Sequence, residues 1–211
     1  VDLRNHGSSF WSDYHDYFCI AEDLIKLTES FSKSVNLLGH SMGGKAAMVA
    51  SISRPEVFKK LVVVDISPVN YAESEFVNYI ELLLELNLNE INSRKEADTN
   101  LQKKIVDRNI RSFLLQNLYL DENNNYNWKI NLESLKKNIE SIKLFPKIQN
   151  SFKGNTLFIK GKNSNYIQEK HLPIISNFFP NYSLREITNS GHWPHTEQQD
   201  LFRKELLTFF M

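Results

Sequence analysis

Val35-Asn36-Leu37-Leu38-Gly39-His40-Ser41-Met42-Gly43-Gly44-Lys45-Ala46-Ala47-Met48-Val49-Ala50 decides the fold. A short apolar run ends in Gly-x-Ser-x-Gly, and a small-residue helical pattern follows at once. Strand, sharp turn and helix in that order are the setting of a nucleophile elbow, with Ser41 as the candidate nucleophile. The turn strains the serine backbone, so the residues two before and two after it must lack bulk. Gly39 and Gly43 meet that need. Ser41 then stands at the N-terminus of the following helix, where free N–H groups and the helix dipole stabilise a developing oxyanion. His40 is expected to point away from the serine and to shape the turn. Met42 N–H, on the residue after the nucleophile, is the oxyanion donor.

Outward from this stretch the chain alternates. Tyr14 to Phe31 has helical spacing, with Phe18, Ala21, Leu24, Ile25 and Leu27 or Phe31 on one side. Leu61 to Ile66 is a continuous aliphatic run closed by Ser67-Pro68, the pattern of a buried parallel strand. Asn155 to Lys160 and Tyr182 to Ile187 read as further strands. Ile167 to Phe178 reads as a helix with Pro173 near its first turn. Thr196 to Phe210 closes the chain as a helix, its stripe Leu201, Phe202, Leu206, Phe209 and Phe210. Such alternation predicts an α/β fold, a mostly parallel doubly wound sheet.

Between Val69 and Pro146 the alternation stops. Phe76, Tyr79, Ile80, Leu83, Leu84 and Leu86 predict one amphipathic helix, Leu101 to Leu118 a second and Leu132 to Ile142 a third. Asp121-Glu122-Asn123-Asn124-Asn125 is a turn cluster between two short strand-like runs, a small hairpin. The expected division is a core of 1–68 and 147–211 with a helical cap of 69–146 inserted after the Leu61–Ile66 strand. Such a cap would overhang the serine, since ligands of open α/β sheets bind outside the carboxyl ends of the strands.

Composition bounds the partners. Among 211 residues, Lys plus Arg and Asp plus Glu number 25 each, so formal net charge is zero and nothing points to nucleic acid. No apolar run approaches the ~18 residues of a membrane span. Cys19 stands alone, which rules out a disulfide within the chain and suits a reducing compartment. The chain opens Val1-Asp2-Leu3-Arg4-Asn5-His6-Gly7, read as the end of a strand, and no targeting segment is legible.

A serine needs a base, and the base needs an acid to orient it. His192 lies in Asn189-Ser190-Gly191-His192-Trp193-Pro194, after the last strand and before the last helix. That placement fits the order serine, acid, histidine. His195 reads as a helix-entry residue, His6 as a loop residue near the site rim, and His15 and His171 as surface positions. The usual acid position, the loop Gly161-Lys162-Asn163-Ser164-Asn165-Tyr166, holds no carboxylate, and Asn165 stands where an aspartate is expected. Asp65, at the end of the aliphatic strand, is the alternative. A carboxylate buried beside Val64 and Ile66 needs a partner, and an imidazole serves. The competing reading makes Asp65 a cap of the Ile66-Ser67-Pro68 turn.

Asp2-Leu3-Arg4-Asn5-His6-Gly7, the 39–45 elbow, Val64-Asp65-Ile66-Ser67-Pro68-Val69 and Gly191-His192-Trp193-Pro194-His195 together resemble one branch of the α/β-hydrolase superfamily. That branch holds the YbfF-type esterases and the mitochondrial abhydrolase-domain-11 proteins. Phe113 to Leu118 and Trp128 to Asn131 are similar to it too. The resemblance implies Ser41, Asp65 and His192 as the catalytic residues. It implies hydrolysis of small carboxylic esters or acyl thioesters, acyl-CoA-like ones included, without metal or organic cofactor. It implies an intracellular protein, cytoplasmic if bacterial and mitochondrial if eukaryotic. Branch members carry further strands and a His-Gly loop upstream of the Asp-x-Arg-Asn-His-Gly segment. A central strand and a second oxyanion donor are therefore expected from such a segment, and the 211-residue chain alone is expected to be marginally stable and weakly active. Two other classes stay open: an alcohol acyltransferase on the same residues, and a non-catalytic scaffold acting by protein contacts.

Overall fold

The computed structural model describes residues 1–31, 33–71 and 75–211, without the side chains of residues 75 and 76. In chain order the elements are α1 (Tyr17–Glu29), β1 (Val35–His40), α2 (Met42–Ser53), β2 (Phe58–Val64), α3 (Glu75–Leu84), α4 (Arg94–Gln102), α5 (Arg108–Leu115), β3 (Leu118–Leu120), β4 (Tyr126–Trp128), α6 (Leu132–Lys137), α7 (Ile139–Lys143), β5 (Asn155–Gly161), α8 (Leu172–Phe178), β6 (Tyr182–Ile187), α9 (Pro194–Glu197) and α10 (Gln199–Phe210).

The chain divides into two units: Asp16–Asn70 with Leu144–Met211, and Val1–His15 with Tyr71–Lys143. The first is built on a four-stranded sheet in the order β1-β2-β5-β6, every pair parallel. Alternation along β2 and β5 sorts the side chains by face. Val62, Val64, Leu157, Ile159 and Ile187 form one apolar layer, covered by Phe202, Leu206, Phe209 and Phe210 of α10. Leu201 falls outside that stripe and is exposed. A break at Gln198 separates α9 from α10 where the sequence predicts one helix. On α1 the buried stripe is Tyr17, Ile20, Ala21, Leu24, Ile25 and Thr28. Phe18, expected inside, is 52% exposed, because Ile20 fills the inward position instead. The Asp16 carboxylate caps this helix by accepting from Cys19 N at 2.8 Å, which moves its start from the predicted Tyr14 to Tyr17.

The second unit has its own core, with Leu83, Ile91, Ala97, Leu101, Leu114, Leu118 and Leu135 among its members. Phe76, placed in its first helix by spacing, lies outside the described side chains. The predicted second helix is two. Between α4 and α5, Arg111 Nη1 donates to the carbonyls of Ile105 and Val106, both at 2.9 Å, and Nε donates to Asp98 at 2.7 Å. Asp107 caps α5 through Asn109 N and Ile110 N. The predicted third helix breaks at Asn138, giving α6 and α7. The hairpin around the 121–125 turn forms, β3 against β4, but its second strand is Tyr126–Trp128 and not the run Trp128-Lys129-Ile130 expected from the sequence. Val1 to Leu3 form no strand; a turn follows at Arg4 and Asn5. These first residues group with the helices through Asn5, which is wholly buried at a positive φ of 65°. Its side chain donates to His15 Nδ1 and Ser134 Oγ and accepts from Ser12 N and Asn131 Nδ2. His15, read from sequence as a surface residue, is buried by that network. Among the described residues no helix is long and apolar enough to cross a membrane.

Behind the elbow, Lys45 of α2 is only 2% exposed. Its amine donates to the Leu144 carbonyl at 3.1 Å and lies 5.5 Å from the Tyr17 ring centroid. Burial lowers its pKa from 10.5 to about 7. Between these values the unfolded chain binds the proton that the folded chain releases, so Lys45 makes stability rise with pH across that window. Thermal melts of Lys45→Met and the parent chain at neutral and strongly alkaline pH check this. The variant's advantage, or the smallness of its deficit, should be greatest at neutral pH and decline as pH rises.

Candidate active site

Parallel strands β1 and β2 bring their carboxyl ends side by side, and each is followed by a backbone that most residues avoid. Ser41, after β1, has φ 53° and ψ −121°. Asp65, after β2, has φ 49°. Conformations of this kind cost about 1–3 kcal/mol and persist where surrounding contacts impose them. Here Ser41 N donates to Val64 O at 3.0 Å and Asp65 N to Ile159 O at 2.8 Å, which ties both residues to neighbouring strands. A Cβ on Gly39 would stand 2.2 Å from Gly43 O, so that position admits glycine alone. Gly43 itself faces open space. The crowding expected there falls on Gly44, whose Cβ would lie 2.6 Å from Ile66 Cγ2 as α2 packs on the sheet. Met42 is the first residue of α2, so its N–H has no acceptor within the helix.

Asp65 is fully buried. Its Oδ1 accepts from Gly161 N at 3.0 Å. Its Oδ2 accepts from Ser164 Oγ in a short hydrogen bond and from His192 Nδ1 at 2.8 Å. These contacts lead to the β5 and β6 loops and not to the 66–68 turn. His192 Nε2 lies 2.9 Å from Ser41 Oγ. The carboxylate accepts, so Nδ1 carries the imidazole proton and Nε2 is left to accept from the serine hydroxyl. Residues 41, 65 and 192 thus form one continuous hydrogen-bonded line.

The loop carrying His192 is held by residues that sequence reading passed over. Glu197 accepts from Gly191 N at 2.6 Å and from Trp193 N at 3.1 Å. Tyr166 stacks on the His192 ring, centroids 4.1 Å apart and 29° between planes. A Cβ on Gly161 would stand 1.9 Å from Gly191 O, so the β5 loop passes this close only because residue 161 is glycine. Ser164 lies in the 161–166 loop that lacks a carboxylate; its hydroxyl is the signal there, a donor aimed at Asp65 at the end of another strand. His40, expected to shape the turn, also reaches the His192 backbone. His195 packs edge-on against His40, centroids 4.7 Å apart. His171, read as a surface residue, is buried, with Nδ1 3.1 Å from Ser67 Oγ. His6 belongs to the helical unit, where it bridges Ile130. Asn165 is exposed and gives its backbone carbonyl to Gln168. Among the described residues no group of three or more His, Cys, Asp or Glu side chains could hold a metal ion.

A family model described as the alpha/beta hydrolase fold matches residues 1–199, and the chain belongs to that family. It is 37% identical over 216 residues to the sn-1-specific diacylglycerol lipase ABHD11 of Danio rerio, covering 99% of this chain and 68% of the relative. It is 28% identical over 201 residues to Esterase YbfF of Escherichia coli (strain K12), covering 95% of this chain and 77% of that one. Among solved structures, a marine microorganism esterase superposes with a TM-score of 0.94 at 39% identity, over 99% of this chain and 83% of that one.

The glycine contacts yield a stability and activity test. Gly161→Ala must displace the Gly191 carbonyl, which is backbone and cannot yield cheaply. It should lower the melting temperature by the equivalent of about 1–3 kcal/mol. Ester hydrolysis should fall by about 10²-fold, as His192 is pushed off line. Gly43→Ala, into open space, should melt like the parent chain.

Proposed function

We propose that this protein is a serine hydrolase cleaving carboxylic esters or acyl thioesters through an acyl-serine intermediate. The enzyme hydrolyses ester bonds, the chemistry named for its relatives. The observation that carries the finer reading is the line Ser41 Oγ, His192 Nε2, His192 Nδ1 and Asp65 Oδ2, with successive contacts of 2.9 and 2.8 Å. In that line Ser41 Oγ attacks the acyl carbonyl carbon while its proton passes to His192 Nε2. Asp65 keeps the proton on Nδ1 and stabilises the imidazolium. The carbonyl oxygen becomes an oxyanion facing the N–H of Met42 and the positive end of the α2 dipole. Collapse breaks the bond to the alcohol or thiol, which leaves with the proton from Nε2. Water then gives a proton to Nε2 and its oxygen attacks the acyl-serine. The second collapse frees the carboxylic acid and returns the proton to Ser41.

Esters and thioesters share this course, because the leaving atom takes the Nε2 proton as its bond breaks, and either oxygen or sulfur can accept it. The name of the Danio rerio relative adds acylglycerols to the ester class to be tried. The intracellular setting and the small-molecule substrate belong to the same reading.

Two measurements test it. A fluorophosphonate should label Ser41 in the parent chain and leave Ser41→Ala unlabelled; a modified peptide elsewhere would remove Ser41 as nucleophile. Asp65→Asn should lower turnover of p-nitrophenyl butyrate by about 10⁴-fold, since the amide favours the wrong tautomer. Asn165→Ala should cost far less, and the reverse order would place the acid in the β5 loop.

A further inference from the structure

Three polar backbone groups next to the His192 ring meet side chains. The N–H groups of Gly191 and Trp193 go to Glu197. The His192 carbonyl goes to His40, whose Nε2 lies 2.7 Å away. A carbonyl oxygen only accepts, so His40 carries its proton on Nε2 and donates it. His40 is the residue directly before Ser41, on the rigid end of β1. A single hydrogen bond therefore joins the backbone that carries the nucleophile to the backbone that carries its base. The ring packs where it must to do this: its centroid is 4.7 Å from that of His192 and 4.7 Å from that of His195. Burial, with His192 next in effect, pushes its pKa down to about 3, so it stays neutral over the working range.

We infer that His40 is a positioning residue, a strut whose Nε2–H, donated to the His192 carbonyl, sets the distance between His192 Nε2 and Ser41 Oγ. The inference rests on the proposed roles of Ser41 and His192. It goes beyond them in giving the residue before the serine a task in aligning the base, separate from any in forming the turn. A residue needed only for the turn could be any side chain that fits. A strut needs a donor at the reach of Nε2. Glutamine places an amide N–H near that point; asparagine is one carbon short; phenylalanine keeps the ring and loses the donor.

The experiment compares the parent chain with His40→Gln, His40→Phe and His40→Asn by kcat, KM, fluorophosphonate labelling rate and melting temperature. His40→Phe and His40→Asn should lose about 10- to 100-fold in kcat and in labelling rate, with KM within about twofold, because misplaced reacting groups cost turnover and not ground-state binding. His40→Gln should recover most of the loss, to within about fivefold of the parent. Equal impairment of all three, or kcat in His40→Phe within threefold of the parent, would overturn the strut. Should His40→Phe fail to fold, the His40→Gln and His40→Asn pair decides alone, since they differ only in reach. If the parent chain takes no label at Ser41, the proposed function fails and not the strut alone. If the parent is labelled and His40→Phe is labelled as fast, only the strut fails.

Discussion

The carboxylate of Asp65 is the constraint around which the carboxyl end of the sheet is arranged. It has no exposure to water, and an ion so placed costs several kcal/mol unless donors replace its hydration. Three do: a backbone N–H of Gly161, the Ser164 hydroxyl and the His192 ring. Those donors come from two loops far apart in sequence, so satisfying one charge fixes the β5 and β6 loops at once. Order at the site and order of the fold thus have a common cause.

The second requirement is that Ser41 and Asp65 keep strained backbones without collapsing. Both stand at the ends of adjacent parallel strands, and each is hydrogen-bonded to the next strand over. The apolar layer of β2 and β5 beneath, closed by the aromatic stripe of α10, makes that sheet resist distortion. Ser41 and Asp65 consequently share one rigid platform. His192 arrives on a loop, and side chains hold that loop: Glu197 on two amides and Tyr166 on the ring.

Much of this was legible in the chain because local signals and the fold agree. The elbow with its strand and helix, the aliphatic run 61–66 and the Gly191-His192-Trp193 stretch each carry their meaning within a few residues. What escaped depends on distant contacts. Spacing cannot say whether Phe18 or Ile20 is buried, nor that Arg111 gathers the carbonyls that part α4 from α5. His15 and His171 look like surface residues until Asn5 and Ser67 come to meet them. Ser164 and Glu197 are ordinary polar residues in sequence. Their tasks exist only once strands separated by tens of residues lie side by side. Grouping residues 1–15 with the helices likewise needs the Asn5 network, which no local pattern announces.

The contact between Ser164 and Asp65 bears on where the acid of such a site can stand. Position 164 sits in the loop where the acid of this fold is usually sought, and it already touches the carboxylate oxygen that accepts the hydrogen bond of His192 Nδ1. The side chains of two different strands thus converge on one point in space. A carboxylate gained at 164 would stand against the one at 65, two like charges in one buried spot, so the two exclude each other. The point facing His192 Nδ1 thus lies within reach of side chains that follow two different strands, β2 and β5. The site is in this sense a place in space before it is a set of residues, with one corner of it bordered from two sides.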